Sequence, residues 1–371
     1  MGDYGKVVTG NTPPTKDIEN YENGTYLWAS PADLGTIKSI TETKTMLSAQ
    51  GFSKTRTLPK GSVLVTCIGS TIGKAGMATK EMSTNQQINS IVVNDNNDNE
   101  FVYYAIQSAF PRYLSSIAVQ AVPIISKSAF ELLPNNRPYL QEQKKIGRFL
   151  SMLDERIATQ NKIIEDLKKL KSAIIEKHYC QAEKQIACVA DLGEPFSVGN
   201  LAKDDLAETG MPCVIYGELF TTYGETISQI ESHTYKTEGM ILSKKGDLLF
   251  PSSTTVDAMS LIAPSVISMD GVILGGDMFG IHISPNFNAQ YLSYYFNHIA
   301  KRQLAKFAKG STIIHLHYAD IEKAKLLLPS LEEQNRMAKC LIFLDAKIKV
   351  ENIFFSLLNS QKTYLLRQMF I

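Results

Sequence analysis

Pro138-Tyr139-Leu140-Gln141-Glu142-Gln143 opens one stretch of this chain, and Pro329-Ser330-Leu331-Glu332-Glu333-Gln334 opens another 191 residues later. The two stretches stay in step without a gap: Leu150 with Leu341, Leu153 with Leu344, Asp154 with Asp345, Ile157 with Ile348. In the first, apolar residues fall at Ile146, Leu150, Leu153, Ile157, Ile164, Leu167 and Ile174. In the second they fall at Met337, Leu341, Leu344, Ile348, Phe355, Leu358 and Leu365. Steps of four and three place them along one seam of a helix with period 3.5. The polar interruptions also correspond, Gln160 and Lys171 answering to Glu351 and Lys362. Each stretch therefore reads as one long helix, and each seam has its natural partner in the other, as a coiled coil. A helix from Ile146 to His178 would span about 50 Å at about 1.5 Å per residue.

Working outward, each helix closes a globular segment, so the architecture is duplicated. Residues 1–137 form the first. Lys6–Pro14 reads as a strand ending in a turn, Leu58–Thr66 as a turn into a buried strand, Thr25–Ala29 and Gln87–Val93 as further strands, Ile68–Gly76 as a Gly-rich loop, and Phe101–Leu114 as a helix. Residues 181–328 repeat the plan, with Pro212–Gly217 in place of the strand at Tyr26–Ser30, Leu242–Phe250 answering Leu58–Val65, a strand at Gly280–Ile283 and a helix over Tyr291–Phe307. Ile186–Gly193 precedes the second repeat and has no counterpart before Lys6, so the first domain is expected to lack an opening strand, by truncation or a late start codon. The fold class is α+β.

Composition limits the functions available. The chain has 371 residues, 44% hydrophobic and 20% charged, and a net charge of +1. That fits two or three globular domains, and any nucleic-acid site must come from local clustering of charge. Five cysteines (Cys67, Cys180, Cys188, Cys213, Cys340) include no Cys-x-x-Cys pair, which argues against a zinc site and a disulfide framework and points to a cytoplasmic setting. Met1–Gly10 has no apolar core of a signal peptide, and no run reaches the roughly 18 apolar residues of a membrane span.

Catalytic motifs are absent. Gly69-Ser70-Thr71-Ile72-Gly73-Lys74 is one residue short of a phosphate loop between its glycines, and Ala75 replaces the magnesium-binding hydroxyl. His315 and His317 have no third metal ligand nearby in sequence. There is no Gly-x-Ser-x-Gly elbow and no Asn/Asp-Pro-Pro-aromatic tetrapeptide of adenine methyltransferases. Recognition chemistry remains. Ser70, Thr71, Lys74, Asn85, Gln86 and Gln87 in the first half carry side chains suited to base edges and phosphates. So do Ser252, Ser253, Thr254, Thr255, Lys306, Lys309, Ser311, Thr312 and His315 in the second. Taken singly, each is an ordinary loop residue.

The paired signature resembles the specificity subunit of type I restriction–modification systems, over essentially the whole chain. Leu132-Leu133-Pro134 to Gln143 and Leu327-Leu328-Pro329 to Gln334 match the Leu-Pro-x-Leu-x-Glu-Gln entry to each of that family's conserved helices. Gln361-Lys362-x-x-Leu365-Leu366-x-Gln368-Met369-Phe370 matches its ending. The inserted Asn135-Asn136-Arg137 is a small departure. The resemblance implies two target recognition domains, 1–137 and 181–328, alternating with conserved spacer helices 138–180 and 329–371. The helices would pair as an antiparallel coiled coil with pseudo-two-fold symmetry. Each domain would read half of a bipartite, asymmetric sequence in double-stranded DNA. The helices would set the gap and dock two methyltransferase subunits, and through them the restriction subunits. S-adenosylmethionine would sit on the methyltransferase, with no cofactor, metal or catalytic residue on this chain. The alternative is a coiled-coil scaffold with no role at DNA.

Overall fold

The structure, a computed structural model, describes residues 1–35, 37–116 and 123–370. The chain forms two compact units: residues 1–162 with 353–371, and residues 163–352.

In unit 1 a five-stranded sheet runs in the order Gly5–Thr9, Ile88–Val93, Val63–Thr66, Ala75–Ala78, Ser39–Ile40. Ile91 is the common partner of Val7 and Val63. Strand alternation puts these three on one face, where Phe101, Tyr104 and Ile106 of helix α1 (Asn99–Ser116) pack on them and close the core. The other face, with Leu64 and Ile88, packs on Leu27 and Leu34. Helix α2 (Leu140–Gln181) delivers Leu150 to the first core, and the C-terminal segment delivers Phe370.

Unit 2 has the same plan. Its sheet runs Gly193–Ser197, Met278–Ile283, Asp247–Pro251, Ser265–Ile267, Thr226–Ile227. Ile281 is the shared partner of Pro195 and Leu248. Helix α3 (Ala289–His298) covers it with Tyr291, Leu292, Tyr295 and Phe296, and helix α4 (Leu331–Met369) adds Met337 and Leu341. Tyr291–Phe307 is not one helix, as its spacing had suggested. The N–H of Ala300 reaches back to the Tyr295 carbonyl, which opens a wide turn, and the chain re-enters helix only at Lys301–Leu304. Burial of Ala300 in the core fixes that break.

In unit 2, Gln185–Cys188 pairs antiparallel with Lys325–Leu328, and the Val189 N–H then meets the Ala324 carbonyl at 3.1 Å. In unit 1 the amino group of Met1 takes that place, 2.6 Å from the Leu133 carbonyl oxygen. Met1 and Tyr4 are buried in the core.

Both long stretches are helices, of 42 and 39 residues, each beginning before the first seam position. The signature glutamines explain their entry. Gln143 accepts the Asp98 N–H (3.0 Å) and donates to the Pro138 carbonyl (2.9 Å). Gln334 accepts the Asn288 N–H (3.0 Å) and donates to the Pro329 carbonyl (2.9 Å). Each is 1% exposed and ties the first turn of a long helix to the start of α1 or α3. Such buried amides are retained because every polar group finds a partner. Of the fourteen seam residues, Leu150, Leu153, Ile164, Met337, Leu341 and Leu358 are buried. The other eight are half-buried and none is exposed.

Candidate DNA interface

The loops singled out in the sequence come together in equivalent places. In unit 1 the chain leaves Val63–Thr66 through a turn in which Gly69 (φ 96°) and Gly73 (φ 90°) take left-handed backbone conformations that glycine adopts without strain. Ile68 bridges to Ile124, and the Ile125 N–H donates to the Cys67 carbonyl. In unit 2, Ser253–Thr254 pairs with Ile314–His315, and the Leu316 N–H donates to the Ser252 carbonyl. The same cross-connection thus recurs in each unit.

Within unit 1, Gln87 lies against the 69–71 turn, since a Cβ on Gly69 would sit 3.8 Å from its Nε2. Ser70 and Gln86 are exposed, and Thr71 is half-buried. Gln86 accepts a hydrogen bond from the Thr12 hydroxyl at 2.5 Å, so the Asn11–Thr12 turn, which composition gave no reason to select, belongs to the same surface. Asn11 also accepts the Arg56 N–H, and Arg56 donates to the Thr9 carbonyl. Two residues are placed differently. Asn85 is buried, with its carboxamide spent on the Gln87 N–H and side chain, which shapes the turn. Lys74 lines a separate cleft with Gln107, Asn359 and Lys362.

Within unit 2, Ser252 and Ser253 are buried beneath the loop, while Thr254 is half-buried and Thr255 exposed. The Thr254 hydroxyl accepts the Val256 N–H and fixes the tip. Lys306, Lys309, Ser311 and Thr312 are exposed across from it, and His315 is half-buried. Lys309 pairs with Asp320 at 2.5 Å, and that hydrogen bond holds the Asp320 carboxyl below the usual carboxylate range. The rings of His315 and His317 lie 6.1 Å apart and nearly parallel. Among the described residues no group of three side chains could hold a metal ion. Thr254, Val256, Lys301 and Ile313 line a cavity of about 740 Å³. Lys301 in its lining adds to the local positive charge that the near-neutral chain needs for any nucleic-acid contact.

A second site recurs in both units and was invisible in the sequence. In unit 1, Lys362 lies 2.6 Å from Asp154, which accepts the Tyr104 hydroxyl at 2.6 Å. In unit 2, Lys171 lies 2.7 Å from Asp345, which accepts the Tyr294 hydroxyl at 2.5 Å. Burial, then the neighbouring carboxylate, pushes both phenols upward, so each remains a donor. Lys171 also contacts Glu225 at 2.9 Å, and Glu225 contacts His298 at 2.8 Å. Burial alone would raise the Glu225 carboxyl, but the His298 hydrogen bond and the Lys171 charge hold it down at about 2.

This duplicated α+β plan thus carries equivalent cross-connections and equivalent polar anchors in its two units. The sequence profile of the type I restriction modification DNA specificity domain matches residues 1–169 and 185–353, and the chain belongs to that family. It is 23% identical over 305 residues to the type I restriction enzyme MjaVIII specificity subunit of Methanocaldococcus jannaschii, covering 76% of this chain and 70% of that one. It is 28% identical over 180 residues to the HindI specificity subunit of Haemophilus influenzae, a match spanning 46% of this chain and 38% of that one. The fold is shared with the crystal structure of a type I restriction–modification S subunit from M. genitalium, at TM-score 0.62 and 16% identity over 99% of this chain and 93% of that one. A chain from a structural study of assembly and conformational transition of the type I system gives TM-score 0.59 at 14% identity, over 98% and 95%.

As a specificity subunit the chain confers DNA sequence specificity within a complex of DNA and other subunits. It is not itself an enzyme; the methyltransferase activity sits on partner subunits. No helix among the described residues is long and apolar enough to cross a membrane.

Proposed function

We propose that the globular domains 1–137 and 181–328 each read one half of a split, asymmetric DNA target, and that the spacer helices 138–180 and 329–371 set the gap. The observation that carries this reading is the duplication itself: the same cross-connection beside the candidate loops of each unit, and helices that enter through the same glutamine contact. The loops differ in chemistry, since unit 1 sets carboxamides beside its hydroxyls and unit 2 sets lysines beside its own, as suits two unlike half-sites.

The helices pair antiparallel as a coiled coil in this proposal. Within unit 1, Asp154 meets Lys362 and Arg156 stacks on Phe354; within unit 2, Lys171 meets Asp345 and His178 meets Glu333. In each unit one helix's numbers rise as the other's fall. Reciprocal pairing of repeated helices gives a pseudo-two-fold relation suited to the two strands of DNA, whose half-sites recur about one turn, roughly 34–36 Å, apart. The exposed helix faces dock two methyltransferase subunits, which bind S-adenosylmethionine, flip the adenine and bring in the restriction subunits. The complex works in the cytoplasm.

The test is co-expression with a type I methyltransferase subunit in a host lacking other DNA methylation, followed by mapping of modified adenines. A split motif with a fixed gap, absent when either subunit is expressed alone, is the expected result. Modification of an ungapped motif, or by the methyltransferase alone, would overturn the proposal.

A further inference from the structure

Unit 2 exposes two apolar side chains that its own packing does not use. Val256 is 74% exposed and Ile313 is 50% exposed. The ladder of Ser253–Thr254 with Ile314–His315 holds their loops side by side, and both line the cavity of about 740 Å³. Val256 occupies the position before Asp257, which caps the short helix Ala258–Leu261 by accepting the Ser260 N–H at 2.7 Å. An apolar residue there ordinarily folds back on the fourth helical residue as a hydrophobic staple. Leu261 is fully buried, yet Val256 stands away in solvent, held by its N–H to the Thr254 hydroxyl.

Their surroundings define what they fit. Thr255 and Thr312 supply exposed hydroxyls beside them, and Lys306 supplies an exposed cation. Two side chains are far too small a patch for a stable protein interface, which buries about 800 Å² on each partner. A duplex offers a match: hydroxyls suit any base edge, cations suit phosphates, and the one apolar group on a major-groove base edge is the thymine C5 methyl.

We propose that Val256 and Ile313 grip the C5 methyl of a thymine in the half-site read by the second globular domain. This rests on the DNA-reading function proposed above and names one base that the domain demands. The two side chains act as specificity-determining residues on opposite sides of one methyl group.

The test uses the purified complex of this chain with its methyltransferase subunit, once the target has been mapped. Each thymine of both half-sites is replaced in turn by uracil, which removes the methyl and leaves the hydrogen-bonding edge intact. At one position, in one half-site only, KM for DNA should rise about fourfold, the expected effect of losing one buried methyl group, with kcat unchanged. The Val256→Ala/Ile313→Ala double variant should raise KM on the thymine duplex by a similar factor and show no thymine–uracil difference at that position. Both residues are exposed, so the variant should fold normally; unchanged thermal unfolding checks this. A half-site without thymine, insensitivity to every uracil, or a thymine preference that survives the double substitution would each overturn the assignment. Failure of the wild-type complex to modify any duplex would instead count against the specificity reading itself, and this inference would fall with it.

Discussion

The two units fasten the same pair of helices with the same three residue types, but to different depths. In unit 1 the Lys362–Asp154–Tyr104 set is partly solvated, the lysine side chain being 22% exposed. In unit 2 the lysine of the Lys171–Asp345–Tyr294 set is the more enclosed, at 9% side-chain exposure with a second carboxylate, Glu225, against it, while its Asp345 is the more open of the two aspartates, 33% against 18%. An enclosed cation needs every charge around it balanced, whereas a wetter one lets water do part of the work. Unit 1 places its own additional pair, Lys38–Glu100 at 2.8 Å, beside Tyr104 instead of on the helix lysine. The difference teaches that the repeat preserved the anchor while each domain rebuilt its environment.

The largest expected effect separates the two lysines. Lys171→Met leaves Glu225 and Asp345 without the nearly buried cation they share and should cost about 3–5 kcal/mol, whereas Lys362→Met, which strips one carboxylate of a wetter cation, should cost about 1–2 kcal/mol. Hydrogen exchange localises each loss, to amides of Tyr291–Phe296 for the first and Phe101–Ile106 for the second. Equal losses would erase the contrast drawn here. Acid comes next. The Glu225 carboxyl is held at about 2, below its ordinary 4.5. Its contribution is therefore fully present above about pH 4.5 and disappears as pH falls toward 2, about 3 kcal/mol in all. Glu225→Gln should flatten this part of the acid-unfolding curve in unit 2 and leave unit 1 unchanged; an unaltered curve would remove Glu225 from the network. The smallest effect concerns the phenols. Tyr104→Phe and Tyr294→Phe each delete one hydrogen bond to a carboxylate and should each cost about 1–2 kcal/mol in urea unfolding. A marked inequality would mean that the enclosed unit values the hydroxyl differently.

Much of this was legible in the residues because period and repetition are local signals. Fourteen seam positions declared themselves by spacing, and all lie inward or half-inward. The strands at Lys6–Thr9, Val63–Thr66 and Ile88–Val93 declared themselves by β-branched runs. Other features depend on contacts far apart in sequence. Lys171 and Lys362 stood out only as polar interruptions; their carboxylates lie 174 and 208 residues away in the chain. Asn85 reads like Gln86 and Gln87, but the Ala29 carbonyl draws its N–H inward and its side chain follows. The break at Ala300 follows from core packing that overrides a good helical pattern. Val256 and Ile313 were not singled out by the sequence, because exposure cannot be read from identity.

The glutamine contact has a consequence for the whole repeat. Gln143 and Gln334 grasp the amide of the residue that opens α1 or α3 and the carbonyl of the proline before their own helix. Those two contacts are to main chain, the part of a protein that every sequence shares, and Gln143 adds one side-chain contact, to Asn97 at 3.1 Å. A fitting of that kind is indifferent to the side chains mounted on it. Recognition loops can drift, or whole globular halves be exchanged, while the joint to the helices stays the same.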